Sequence, residues 1–214
     1  MPLLGLHMTV ARELAEEIAS PTIDADRGAF YLGATAPDIR VITRWERERT
    51  HFFSLDDFEE QSGVERLFQE EPALRDSTAL DASTAVFMAG YLSHLVLDED
   101  YICQIYRPSF GERSALRDDH LAAFMDRALQ CRLDEDGRSE HARVSEIREA
   151  LLQTAVEISV GFVARDTLLE WRTVSSEMLG RPLTLERFVR RHYGPGRESD
   201  ADRFRAEEAP AILQ

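Results

Sequence analysis

Apolar residues recur along this chain at helical spacing. From Leu6 to Ala19, Val10, Leu14 and Ile18 fall four apart and predict an amphipathic helix that Ser20-Pro21 ends. A second short helix is expected over 27–34, broken at Ala36-Pro37-Asp38 because the residue before a proline avoids helical backbone. Residues 39–60, rich in Arg and Glu, read as loop and short helix, and a helix covers 61–70. The pattern then predicts a long helix from about Thr78 to Tyr101, apolar nearly all round and therefore central. Beyond a loop at Arg107-Pro108-Ser109-Phe110-Gly111, helices are expected at 115–132, 139–163, 165–179 and 184–192. Leu133–Gly137 reads as an exposed turn. No run shows sustained strand alternation, and there is no internal repeat. The expectation is one all-α domain over 1–194, a multi-helix bundle, with a charged tail over 195–214 opened by Gly194-Pro195-Gly196.

Composition narrows the function classes. The 214 residues carry a formal charge of −15, and all 25 basic residues are arginine. That balance argues against nucleic acid, whose phosphates require a basic face. It also argues against stable anchoring on an anionic membrane. The longest apolar run, Ala85–Leu97, is too short to span a bilayer. The N-terminus, Met1-Pro-Leu-Leu-Gly-Leu-His7, has no signal-peptide pattern, so a cytoplasmic location is the expectation. Cys103 and Cys131 form neither a CxxC pair nor a zinc-ribbon spacing.

The candidate chemistry lies in the first half. His94 and Asp98 are four apart and share one face of the central helix, the geometry by which a helix offers two ligands to one ion. Ionisable groups buried in such a helix need a compensating partner. The alternatives are that the two bond each other, or that Asp98 already lies at the wet helix end beside Glu99 and Asp100. Asp38 after Pro37 suits a ligand or an ordinary cap. His51, flanked by Thr50 and Phe52-Phe53, suits a ligand or a hydrogen-bonded core histidine. His7 lies in line with Val10, Ala11 and Leu14 and faces the core. His120, in Asp118-Asp119-His120, is a further candidate ligand, whereas His141 and His192 sit among charges and read as surface. Three histidines and two aspartates are a suitable donor set for Zn, Fe or Mn. Arg40 and Arg44, close to Asp38, are candidate phosphate or carboxylate clamps. Arg47 and Arg49 read as solvated partners of Glu46 and Glu48. No Gly-rich phosphate loop, nucleophile elbow or Ca²⁺ loop is present, and the acidic runs Asp56-Asp57 and Asp134-Glu135-Asp136 read as solvated faces.

The ordered set of a helical His7, then Ala29-Phe-Tyr-Leu-Gly33 with Ala36-Pro37-Asp38, then Thr50-His51-Phe52, then Gly90-Tyr-Leu-Ser-His94 with Asp98, resembles the zinc-dependent phospholipase C family. The likeness covers about residues 5–102. It implies the all-α fold that family shares with P1-type nucleases and a cluster of up to three zinc ions. By position, Asp38, His51, His94 and Asp98 would hold a first ion and His7 a second, with Asp98 shared. The downstream part departs from the pattern. Gln104 and Tyr106 stand where a histidine is expected, and Phe124 stands one turn after His120 where a glutamate is expected.

The reading is thus a metal-dependent hydrolase of a small-molecule or lipid phosphoester, using a metal-activated water oriented by Asp38 or Asp98, with one to three ions bound. The alternatives are a non-phosphoesterase iron or manganese enzyme, and a non-catalytic helical metal-binding protein. Oligomeric state is left open.

Overall fold

Two helices meet at a pair of glycines, and this contact organises the molecule. A Cβ on Gly33 would collide with the Phe87 carbonyl, and one on Gly90 with the Phe30 carbonyl, so the two backbones approach as only glycine allows. The protein, seen here as a computed structural model, is described for residues 2–55, 57–59, 61–114, 116–117, 122–139, 141–181 and 184–193. Among these residues every regular element is helical.

In chain order the helices are α1 (Leu4–Ile18), α2 (Pro21–Ala25), α3 (Arg27–Thr35), α4 (Arg40–Thr43), α5 (Glu48–His51), α6 (Gly63–Glu70) and α7 (Ala82–Asp100). They continue with α8 (Arg107–Ser109), α9 (Ala122–Gly137), α10 (His141–Gln153), α11 (Arg165–Gly180) and α12 (Leu185–Tyr193). The central pair, α3 and α7, is fixed at its N-termini by aspartates. Asp26 accepts from the Ala29 N–H at 3.0 Å and Asp81 from the Thr84 N–H at 2.9 Å. Around this pair pack α1, α10 and α11, which bury Met8, Leu32, Phe87, Tyr91, Leu151 and Trp171 in one core. A smaller apolar cluster joins Phe124 and Leu129 of α9 to Leu185 and Phe188 of α12. No helix among the described residues is long and apolar enough to cross a membrane. Cys103 and Cys131 are not joined in a disulfide.

Several expectations need correction. The helix expected at 139–163 stops at Gln153. The next segment is non-helical and crosses the core, with Thr154, Val156, Ile158 and Val160 buried and the residues between them exposed. That period of two was present in Thr154-Ala-Val-Glu-Ile-Ser-Val160 and outweighs the helical reading. Among the described residues no strand neighbours this backbone; Arg172 donates to the Thr154 carbonyl at 2.6 Å and Arg165 to the Val156 carbonyl at 3.0 Å. Residues 133–137 are not an exposed turn but the end of α9. Asp134 is fully buried there, because it accepts from Arg138 Nε at 2.6 Å while Arg138 Nη1 donates to the Leu179 carbonyl at 2.6 Å. Nor does the long helix stop at 101: after Asp100 it passes into a π-helical segment, Tyr101–Tyr106, and then α8. The charged tail expected over 195–214 and the candidate ligand His120 lie outside the described residues, as do the side chains of His141 and His192.

Candidate metal centre

Five of the candidate ligands converge, from four segments of the chain. Helix α1 brings His7, α5 ends on His51, and α7 contributes His94 and Asp98. Asp38 sits in the 3-10 turn Ala36–Ile39 that takes over where Pro37 ends α3. The Thr50 hydroxyl fastens α5 to this turn by donating to the Pro37 carbonyl at 2.7 Å. The Tyr91 hydroxyl donates to the Thr50 carbonyl and so fastens α5 to α7. From the far side Trp171 Nε1 donates to Thr35 Oγ1 at 3.1 Å and steadies the end of α3.

The glycine contact sets the orientation of His94. Because α3 and α7 lie so close, the Ala34 carbonyl comes within 2.8 Å of His94 Nδ1. A carbonyl only accepts, so Nδ1 carries the hydrogen and Nε2 presents its lone pair to the interior. His51 is arranged likewise, with Nδ1 at 3.3 Å from the Arg47 carbonyl. Its Nε2 lies 3.6 Å from Asp38 Oδ1 and 3.4 Å from Asp98 Oδ2. His7 Nε2 is 3.3 Å from Asp98 Oδ1, and His94 Nε2 is 3.9 Å from Asp98 Oδ2. Two overlapping triads, His7-His94-Asp98 and Asp38-His51-His94, each have ligand atoms within 4.8 Å of one another.

Polar accounting distinguishes this cluster from an ordinary buried network. Both ring nitrogens of His7, Nε2 of His51 and of His94, and Oδ1 of Asp98 are buried with no hydrogen-bond partner. Buried polar atoms without partners are uncommon and costly. Three imidazole nitrogens and a carboxylate oxygen gathered without partners are a donor set suited to a cation. The nitrogen and carboxylate oxygen set, without sulfur, fits a divalent ion of the Zn, Mn or Fe type.

Electrostatics agree. Burial, with His7 beside it, pushes His94 from its usual 6.5 down to about 3, leaving it a neutral ligand at neutral pH. Burial would raise both carboxyls but is outweighed. The His51 contact, backed by His94 and His7, holds Asp38 at about 2, and the His7 contact with His94 and His51 holds Asp98 far below the carboxylate range. Asp38 is also the opening of the site: its side chain is 22 % exposed, against 4 % or less for the other four.

Arg47 also enters the cluster. Arg47 was expected in a solvated loop with Glu46 and Glu48; instead it is buried, donating from Nη2 to Asp98 Oδ2 at 2.7 Å and from Nη1 to the Phe53 carbonyl at 2.8 Å. A cleft of about 420 Å³, lined by Glu46, Arg47, Glu48, Phe53 and Leu55, opens beside it. Arg40 and Arg44 lie exposed at the two ends of α4, with Arg40 Nε 3.4 Å from the Trp45 carbonyl. Among the described residues no hydrogen bond or ion pair ties either one to the five ligands.

Comparison with protein-family models, with curated proteins and with solved structures finds no match. The fold and the site define an all-helical protein with a buried His/Asp group that can hold a metal ion.

Proposed function

We propose that this protein is a metal-dependent phosphoester hydrolase, of the zinc-dependent phospholipase C and P1 nuclease type that its motifs resemble. The observation that carries the reading is the set of partnerless Nε2 atoms of His7, His51 and His94 around Asp98, with His94 locked in its ligand tautomer by the Ala34 carbonyl. The metal would be held by His51, His94 and Asp98 with Asp38 and His7 completing the donor set, and zinc is the ion the resemblance favours. When bound, the ion supplies Lewis acidity, which brings the pKa of water from about 15.7 towards about 7.

The remaining work falls to the chain. Asp38, the ligand-group carboxylate that reaches solvent, orients the attacking water and takes its proton. Asp98 has one oxygen on Arg47 and the other facing His7, so it serves as ligand and not as base. Arg40 and Arg44, exposed beside the turn that carries Asp38, meet the phosphate oxygens of an incoming substrate and stabilise the charge that develops on them. The acidic chain favours a small phosphoester over adsorption to an anionic bilayer.

The test is turnover of bis(p-nitrophenyl) phosphate, p-nitrophenyl phosphate and a short-chain phospholipid by protein loaded with zinc, manganese or iron. Turnover that requires the metal and is lost in His94→Ala supports the proposal. A loaded site with no turnover of any of the three removes phosphoester hydrolysis and leaves a metal-binding protein.

A further inference from the structure

Among the described residues Arg47 is the arginine that reaches into the cluster, and its position bears on how many ions the site takes. Asp98 is the carboxylate that touches both ends of the group. Its Oδ1 lies 3.3 Å from His7 Nε2, while its Oδ2 lies 3.4 Å from His51 Nε2 and 3.9 Å from His94 Nε2. Two ions that shared Asp98 would take one oxygen each. Oδ2 is already engaged by the Arg47 guanidinium at 2.7 Å. His94 imposes the same limit, since its Nε2 belongs to both candidate triads and has a single lone pair to give.

We propose that Arg47 occupies the place of a second cation and makes the centre mononuclear, an inference that rests on the metal-centre reading above. Charge supports it. The two carboxylates, Asp38 and Asp98, are offset by Arg47 and one divalent ion with a single positive charge to spare, which one hydroxide or one singly charged substrate neutralises. A second divalent ion would leave a buried excess that nothing among the described residues compensates. Arg47 is held for the role by its second bond, to the Phe53 carbonyl at 2.8 Å, which keeps the guanidinium on Asp98 whether or not an ion is present. Arg47 is thus a positioning residue for Asp98 and a built-in counter-charge, not a group that touches substrate.

The experiment is Mn²⁺ titration of the chelator-stripped full-length chain, read by equilibrium dialysis and by electron paramagnetic resonance. The wild type takes up one equivalent and shows an isolated six-line spectrum at saturation. Arg47→Met, which keeps bulk and removes charge, binds two equivalents with spin-coupled features, and Arg47→Lys stays at one. Two coupled ions in the wild type overturn the proposal, and so does a count of one in a folded Arg47→Met. If Arg47→Met fails to fold, the wild-type spectrum still decides. No uptake by the wild type overturns the metal-centre reading itself, a result distinct from either of the others.

Discussion

The His94 imidazole lies face to face with that of His7, ring centroids 3.6 Å apart and planes within 3° of parallel. Both rings direct Nε2 toward Asp98. Burial, with His7 stacked against it, opposes protonation of His94.

A stability prediction follows. His94 is depressed from 6.5 to about 3, so below pH 6.5 the unfolded chain binds a proton there that the native state does not take up. Asp38, depressed from 3.8 to about 2, contributes stability present above 3.8 and lost as pH falls through 2. The metal-free protein should therefore lose stability as pH falls from 6.5 towards 3, with Asp38 adding to the loss at the acid end. Thermal unfolding in chelator across that range checks this; a melting temperature that stays level below pH 6.5 contradicts it.

Gly33→Ala and Gly90→Ala place a methyl group against a helix backbone that cannot retreat cheaply. Overpacking of this kind costs about 1–3 kcal/mol or more. It also pushes the Ala34 carbonyl away from His94 Nδ1, so metal affinity should fall along with stability. Denaturant unfolding and metal titration of the two variants measure both effects. Unchanged metal affinity in a destabilised Gly90→Ala would break the link between the helix contact and the site.

Asp98→Asn removes a ligand and leaves Arg47 buried beside a neutral amide. Separating such a buried pair costs about 3–5 kcal/mol. The variant is expected to lose both metal and stability. Asp134→Asn provides the contrast, because it breaks a buried pair of the same kind with Arg138 but on α9, apart from the five ligands. It should be destabilised by a similar amount and keep its metal. Equal metal loss in the two variants would show that unfolding, not ligation, explains the first.

Trp171→Phe keeps the ring packed against the core and deletes the bond to Thr35 Oγ1. The Thr35 hydroxyl keeps its bond to the Leu32 carbonyl, so the loss of this one hydrogen bond costs about 0.5–1.5 kcal/mol. Because Thr35 precedes the turn bearing Asp38, a modest weakening of metal binding should accompany the loss, and calorimetric titration will read it.

What the sequence disclosed, and what it withheld, follows the range over which each feature is decided. Helix α1, the break at Pro37 and the central α7 are set by local spacing and were legible. So were His94 with Asp98, which share a helix face, and His7, which the helical phase turns inward. Arg47 was not, because its neighbours Glu46 and Glu48 mark a solvated loop, while the partner that buries it, Asp98, lies 51 positions away. Asp134 failed for a similar reason: an acidic run looks exposed until Gly5 of α1 leaves room for it and Arg138 answers its charge. Gly33 and Gly90 stood in the quoted motifs, but that they face each other is a matter of helix packing.

The central claim is that His7, Asp38, His51, His94 and Asp98 form a metal centre. The most direct test is elemental analysis by plasma mass spectrometry of full-length protein purified without chelator, wild type beside His94→Ala. The account predicts a transition metal, zinc by preference, in the wild type and its loss in a folded His94→Ala. A wild type free of metal that takes up none on addition of zinc, manganese or iron would contradict it.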